Sequence, residues 1–577
     1  MLHKANPATF DASVSMPRAS SPLPVPGAGP LVDLGDAEEV GVVGRVRGFI
    51  ERLPDTQLAL LISTVLLALT AWPVALTEVP PFQDLPNHLA AVTVLEHPAS
   101  YPGFVSNGFL KTNAALFTWL FFVGKVIGAT LAARAFVLLV LGLNAFVLPQ
   151  TVLAFTRSRK KLIIAAFFVW PMTHNWFVSM GMLDFALGVP LSLLVLLFLE
   201  RQRRAPSWQN AALIAVTALL TWYAHVFTLM VVSLLAGIHV ITRASWRERL
   251  REGKLLLLPL GAPAALVLWS LYDHVTEPVG EMAGFMKLDK LLPLWELFYN
   301  LWAEYLWGFS NLTISSFVPA VGLFLLGLWR WRESPTFFAP LAFFALGMLY
   351  FFSPYSATNW FHVNSRLIPY LWLATLVRVP DTLPKKALTL LGVSALLYSV
   401  GMGVDYVRLE RDRQKFTAGI GSVPQGAHML PLLFKRSIAS ENTRSLQHAW
   451  GFYVTEKLVS APLLFAHSRS FPVMYQTAPP VRFNHLVLES FAPSMGTSDW
   501  MCNSLRSGGV FVDDCESAWR GLWAQFWRDA LPKYDHLLIW DATPEAQALV
   551  PRAYRVKFRQ DRLTIYERVS QDLTPQE

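Results

Sequence analysis

Along the middle of the chain, apolar residues run in long unbroken stretches instead of alternating with polar ones, the pattern of helices surrounded by lipid or by other helices. A helix needs roughly 20 such residues to cross about 30 Å of hydrocarbon, and fewer where it is buried among others. Eleven stretches meet that description, near residues 56–76, 131–155, 161–176, 183–200, 209–222, 224–241, 255–272, 316–330, 336–352, 366–379 and 387–404. The pattern predicts a polytopic α-helical membrane protein of about eleven transmembrane helices.

The loops between these stretches are unevenly charged. If the N-terminus is inside, the cytoplasmic loops are RSRKK, RQRR, TRASWRERLREGK, WRWRES and RVPDTLPKK, which together hold seventeen Lys or Arg, while the longer outward loops hold few. Cytoplasmic loops carry such an excess. Arg45, Arg47 and Arg52, ahead of the first stretch, point the same way.

One apolar stretch breaks the alternation. NAALFTWLFFVGKVIG, residues 113–128, would reverse every later loop if it crossed, and would put RSRKK outside. It is therefore predicted to lie on the outer face, at the interface or against the bundle, with Trp119 and Lys125 at headgroup level. The first outer loop then runs over residues 77–130.

Composition agrees with this organisation. Of the 577 residues, 53% are hydrophobic and only 15% charged, far from a soluble chain of that length. The net charge of +8 resides in the cytoplasmic loops and does not call for a nucleic-acid partner. Residues 1–50 include MPRASSPLPVPGAGP and DLGDAEE and are expected to be a disordered cytoplasmic tail with no cleavable signal. Residues 51–404 form the membrane domain. From DYVRLERDRQKF onward polarity rises, and strand-like FPVMYQ, HLLIW and LTIYERV alternate with helix-like ESAWRGLWAQFWRDAL, so residues 405–577 are expected to be a soluble α/β domain on the outer, periplasmic side of a bacterial inner membrane. The only two cysteines, Cys502 and Cys515, lie there. In an oxidising compartment they are expected to be bridged, a cross-link worth roughly 3 kcal/mol.

Ionisable groups close to a membrane core are costly and tend to be functional or paired. Those on the outer side are Asp84 and His88 in PPFQDLPNHLAA, His174 and Asp184, His225, the group Asp273, His274, Glu277 and Glu281, and His362 with Arg366. Each has a plainer reading. Asp84 followed by Pro86 reads as a helix cap and first turn, and Asp184 opens a helix. A lone buried histidine is more often hydrogen-bonded than a ligand, and Arg366 can serve as an interfacial anchor. The sequence has no GxxxxGK[ST], CxxC or HExxH motif, and nothing in it indicates ATP hydrolysis.

An inside N-terminus, one span, a long outer loop with an early Asp in FQDLPNHL, the juxtamembrane helix NAALFTWLFFVGKVIG and then AARAFVLLVLGLNAF resemble the GT-C superfamily of membrane glycosyltransferases. SMGMLDFALGVPLSLL, YAHVFTLMVVSLLAG, SRLIPYLWL and VPQGAHMLPLLF resemble segments of bacterial proteins of this type. The resemblance covers most of residues 56–577 and implies transfer of a sugar from a polyprenyl-phosphate-type carrier to a glycan, lipid or protein acceptor on the outer face. It makes Asp84 the catalytic acid or base, with His88 beside it, and Asp184, His174, His225, His362 and Arg366 the candidate substrate-binding set. Some members use a further outer-loop acid with a divalent metal; Asp184 is in the matching loop, but the Asp-x-Asp pair is missing, so metal dependence stays open. Two other readings also stay open: a non-catalytic or flippase-like component of envelope polysaccharide export, and an O-antigen-type polymerase or ligase.

Overall fold

Every apolar stretch read from the sequence is helical in the computed structural model, which describes residues 48–276, 291–357, 360–466, 468–477, 479–507 and 512–575. Nearly all of the predicted N-terminal tail, as well as Glu277, Glu281 and the His274 side chain, lie outside the described residues. Six described helices are long and apolar enough to cross a membrane: Asp55–Leu76, Ala129–Thr156, Leu183–Arg204, Trp246–Asp273, Asn311–Trp329 and Lys385–Ser422. Arg159–Ala166 and Trp170–Met180, bent by 73°, make a seventh if they span as one. The other stretches form shorter helices, among them Trp208–Ala224 with 17 residues and Ile368–Leu376 with 9. At 1.5 Å per residue such helices rise about 14–26 Å, which is why the structure has six or seven helices of spanning length against the eleven spans expected.

Five helices position the site within the first two hundred residues: α1 (Asp55–Ala71), α2 (Leu85–Glu96), α3 (Ala115–Ile127), α4 (Ala129–Thr156) and α5 (Leu183–Arg204). The stretch that broke the alternation is α3. Its 13 residues rise about 20 Å, too short to cross, and its Trp119 indole donates to the Ala132 carbonyl at 2.8 Å, fixing α3 against α4.

The last long helix, α6 (Lys385–Thr417), has 33 residues and rises about 50 Å. Its first half is apolar, and its second half carries the polar sequence DYVRLERDRQKF. There Arg413 pairs with Glu410 and, at 2.8 Å, with Glu78 just beyond α1. Phe416 at its end packs at a tilt against Trp540 in the sheet that follows, with ring centroids 5.1 Å apart.

That sheet has four strands, β2 (Met429–Leu433), β4 (His536–Trp540), β5 (Tyr554–Gln560) and β6 (Leu563–Arg568), in the order β2-β4-β6-β5; only β2 and β4 run parallel. All five residues of β2, at one edge of the sheet, and all five of β4 beside it are buried, as expected of strands covered on both faces. The helix Cys515–Ala530 buries a stripe of Trp519, Trp523, Phe526, Trp527 and Ala530 at helical spacing, with Trp523 stacked on Phe434 just after β2 and Trp527 near Tyr554 of β5. A disulfide joins Cys502 to Cys515.

The first long loop folds onto this C-terminal segment. Its short strand β1 (Phe104–Ser106) pairs antiparallel with β3 (Val473–Tyr475), and Asn107 donates to the carbonyls of Arg469 and Phe471. Residues 54–577 accordingly form one compact unit.

Candidate active site

In FQDLPNHL, the residues that open α2 turn toward a segment more than three hundred residues away. Asp84 occupies the cap position, yet its carboxylate makes no capping hydrogen bond to α2. It faces His448 instead: the imidazole Nδ1 lies 3.0 Å from Asp84 Oδ1. The other imidazole nitrogen, Nε2, lies 3.0 Å from Glu489 Oε1. Glu489 belongs to α8 (His485–Ser494), and His448 lies three residues before the start of α7 (Gly451–Lys457). An imidazole is thus held at both nitrogens between two carboxylates. Its side chain is only 2% exposed, against 16% for Asp84 and 10% for Glu489.

Neighbouring residues hold this line in place. The Gln83 side-chain oxygen accepts from the Arg444 amide at 2.9 Å, and the Gln83 amide nitrogen is 3.4 Å from Asp84 Oδ1. Asn87, fully buried, donates to the Leu463 carbonyl and accepts from the Phe465 amide, both at 3.1 Å. Gln447 donates to the second oxygen of Glu489. Among the described residues, the polar contacts of the Asp84 carboxylate therefore fall on Oδ1.

Two glycines allow the close approach. The Asp84 amide donates to the Met180 carbonyl at 3.0 Å, beside Gly181, which has φ +87°. A side chain at Gly181 would be strained by that φ, and its Cβ would stand 2.9 Å from the Asp84 amide nitrogen. Gly451 lies against the Pro86 carbonyl, where a Cβ has no room at all.

Electrostatics set the charge on the line. Burial pulls His448 down, but Glu489 and Asp84 outweigh it and hold the imidazole up at about 9, so it is an imidazolium at neutral pH. Burial drives His88 the other way, to about 4, against the pull of Asp84 and with a further push from His448. His88 is therefore neutral. Its ring stands edge-on to Phe117 of α3, with centroids 5.0 Å apart. The hydrogen bond to Asp84 comes from His448. Burial and neighbouring Arg444 lower Arg436 to about 10, still fully charged, and Glu489 attracts it.

Asp184 sits in the first turn of α5 but serves α3: its Oδ1 accepts from the Leu116 amide at 2.8 Å, and the Ala115 amide also bonds to the carboxylate. The first turn of α3 thus lies between Asp184 at its amides and His88 at the Phe117 ring. Removing the acceptor by Asp184→Ala leaves those buried amides unsatisfied, which costs about 1–3 kcal/mol. The variant is expected to show a lower unfolding midpoint in detergent, measured by tryptophan fluorescence; an unchanged midpoint would remove the capping role.

The remaining sequence candidates fall into two further groups. His225 accepts from the Phe227 amide as a helix cap, and its ring and the Arg366 guanidinium both lie against Phe185, at 5.3 and 5.8 Å. His362 lies 3.2 Å from Glu304, which also accepts from Ser365 and lies 3.5 Å from the Tyr355 hydroxyl. His174 is buried in the bundle, 3.0 Å from the Thr70 carbonyl and 3.4 Å from the Tyr406 hydroxyl. The exposed Asp273 lies 3.7 Å from Arg469.

Sequence reasoning missed His448, Glu489 and Gln83. The signal for the first two is slight: a lone histidine before the apolar run AWGFYV, and a lone acid inside HLVLESFA. Among the described residues no group of three or more His, Cys, Asp or Glu is placed to hold a metal ion. Asp184 gives its oxygen to a helix, so the residues present do not fit a metal there.

No protein-family model matches the sequence, and no curated protein matches it. Among solved structures, the chain is similar to ArnT from Cupriavidus metallidurans in the apo state (11% identity over 92% of this chain and 100% of that one, TM-score 0.49). It is similar to the same protein bound to undecaprenyl phosphate (12% identity, 90% and 100%, TM-score 0.47). A third likeness is to the arabinofuranosyltransferase AftD from Mycobacteria (13% identity, 89% of this chain and 40% of that one, TM-score 0.45). Likenesses at this level leave the chemistry to be read from the residues.

Proposed function

We propose that this chain is a membrane glycosyltransferase of GT-C type, which moves a sugar from a polyprenyl-phosphate-type carrier to an acceptor hydroxyl on the outer face of the membrane, with Asp84 as the base. One observation carries the reading: the carboxylate that stands where such enzymes keep their base is not spent on capping its helix, and its Oδ1 is anchored to a buried imidazolium while Oδ2 is left for a substrate.

The chemistry follows from that geometry. An acceptor hydroxyl within reach of Oδ2 gives its proton to the carboxylate as its oxygen bonds to the anomeric carbon. The bond from that carbon to the carrier phosphate breaks, and its electron pair leaves on the phosphate oxygen. Positive side chains are needed where that charge develops; Arg436, near Glu489 and Arg444, and Arg366, beside Phe185, are the candidates. The apolar part of the carrier has a path as well. The first turn of α3 sets Phe117 beside His88, and further along the helix Phe122 and Val126 are 57% and 82% accessible.

The test is direct. Purified protein in lipid nanodiscs, given radiolabelled short-chain polyprenyl-phosphate sugars, hexose and pentose, together with an extract of envelope glycans and lipids as acceptors, is expected to move label to the acceptor fraction and release free polyprenyl phosphate with time. Binding of these lipids without any release would support the flippase-like reading instead.

A further inference from the structure

Among the described residues, the hydrogen bonds of Glu489 go to Gln447 and His448, and Glu489 is the partner that His448 has at Nε2. A neutral imidazole carries one N–H and one bare nitrogen. Between two carboxylates that form leaves one carboxylate facing a lone pair, whereas the imidazolium donates to both. Glu489 thereby lets His448 donate at Nε2 while Nδ1 faces Asp84 and, at 3.2 Å, the Gln83 carbonyl.

We propose that Glu489 and His448 are the positioning pair of the reaction centre: Glu489 keeps His448 in its two-donor form, and His448 holds Asp84 by Oδ1 so that Oδ2 meets the acceptor hydroxyl. This rests on Asp84 being the base. It assigns a role to the C-terminal segment, which supplies both members of the pair. It also gives Glu489 a reason to be anchored, by Gln447 at its second oxygen, beside a small cavity lined by Arg436, Gln447, Leu463 and Leu488.

The charged groups facing the pair are Asp84 and His88 from the first loop, Arg436 and Arg444 from the segment after β2, and Glu489 itself from α8. Of these His88 is neutral and Arg436, at about 10, stays charged through the working range, so the titration that matters is that of His448. Its folded value, about 9, lies above the ordinary 6.5. The stabilisation it provides is complete below about pH 6.5 and is lost as pH rises through about 9.

Glu489→Gln tests the pair. With one carboxylate gone, the imidazolium loses a partner, and the His448 titration is expected to fall by at least about one unit. The full-length protein in nanodiscs, labelled with 15N at histidine and compared with a His448→Asn sample for assignment, reads that shift without any substrate. Turnover of the polyprenyl-phosphate sugar in the same variant is expected to fall about tenfold or more, with the alkaline limb of its pH profile moved to lower pH, and Glu489→Asp is expected to recover part of the loss. An unmoved His448 titration, or wild-type turnover and pH profile in Glu489→Gln beside an inactive Asp84→Asn, would overturn the pair while leaving Asp84 as the base. Full turnover in Asp84→Asn would overturn the base assignment itself, and the catalytic role of the pair with it.

Discussion

Asp84→Asn is expected to leave a folded, inactive protein. Asparagine keeps the size of the side chain and an oxygen to accept from His448 Nδ1, so the contacts of Gln83, Asn87 and the Met180 carbonyl stay in place. What disappears is a group able to take a proton. General-base catalysis is worth about 10²–10⁴ in rate, and turnover of a polyprenyl-phosphate sugar is expected to fall by that factor. Expression and the unfolding midpoint should stay close to wild type, and size-exclusion chromatography in detergent checks the fold. Turnover within a factor of two of wild type would remove Asp84 from the chemistry.

The second large effect is expected from Gly451→Ala, a single methyl group well away from any reacting atom. Gly451 opens α7 against the Pro86 carbonyl, three residues after His448, and Pro86 is two residues after Asp84. Because the obstacle is backbone and not a side chain, no rotamer change relieves it. The two segments must part, and the Asp84–His448 contact at 3.0 Å is the nearest polar contact between them to feel it. Overpacking of this kind costs about 1–3 kcal/mol, and a displacement of about 1 Å at a reaction centre can cost a factor of about 10² in rate. The variant is expected to fold with a lowered midpoint, to lose most of its turnover, and to show His448 titrating closer to the ordinary histidine value. Wild-type turnover would mean that the loop and the C-terminal segment are free to separate during the reaction.

Much of the fold is legible in the sequence because helices in a membrane announce themselves locally. A run of about twenty apolar residues needs no partner to be recognised, and the stretch at 113–128 could be kept from crossing by charge parity alone. The number of spanning helices is less legible, because the runs at 209–222, 336–352 and 366–379 have the composition of spans but form helices of 17, 13 and 9 residues. Pro340 and Pro369, each in a first turn, set where two of them begin.

The site is only half legible. Asp84 stands out as an acid beside an apolar run, and the position of Asp184 at a helix start is equally visible. Which amides Asp184 serves is not: they belong to α3, 68 residues earlier in the chain. His448 and Glu489 lie in a segment whose strands and helices can be read but whose docking cannot, since the contacts that bring them to Asp84 run through Gln83, Asn87 and the pairing of β1 with β3. Each of those is a single polar side chain or a three-residue strand, below the threshold at which a sequence pattern becomes distinctive.

The distance along the chain between the two halves of the site has a consequence for biosynthesis. Gln83 and His448 are separated by 365 residues, and at about 5–20 residues per second the ribosome takes roughly 20–70 s to travel between them. Throughout that interval Asp84 is already made, while the histidine that faces it in the folded protein does not yet exist. A nascent or prematurely terminated chain therefore carries Asp84 without its imidazole partner, and the pairing can form only once translation is nearly complete.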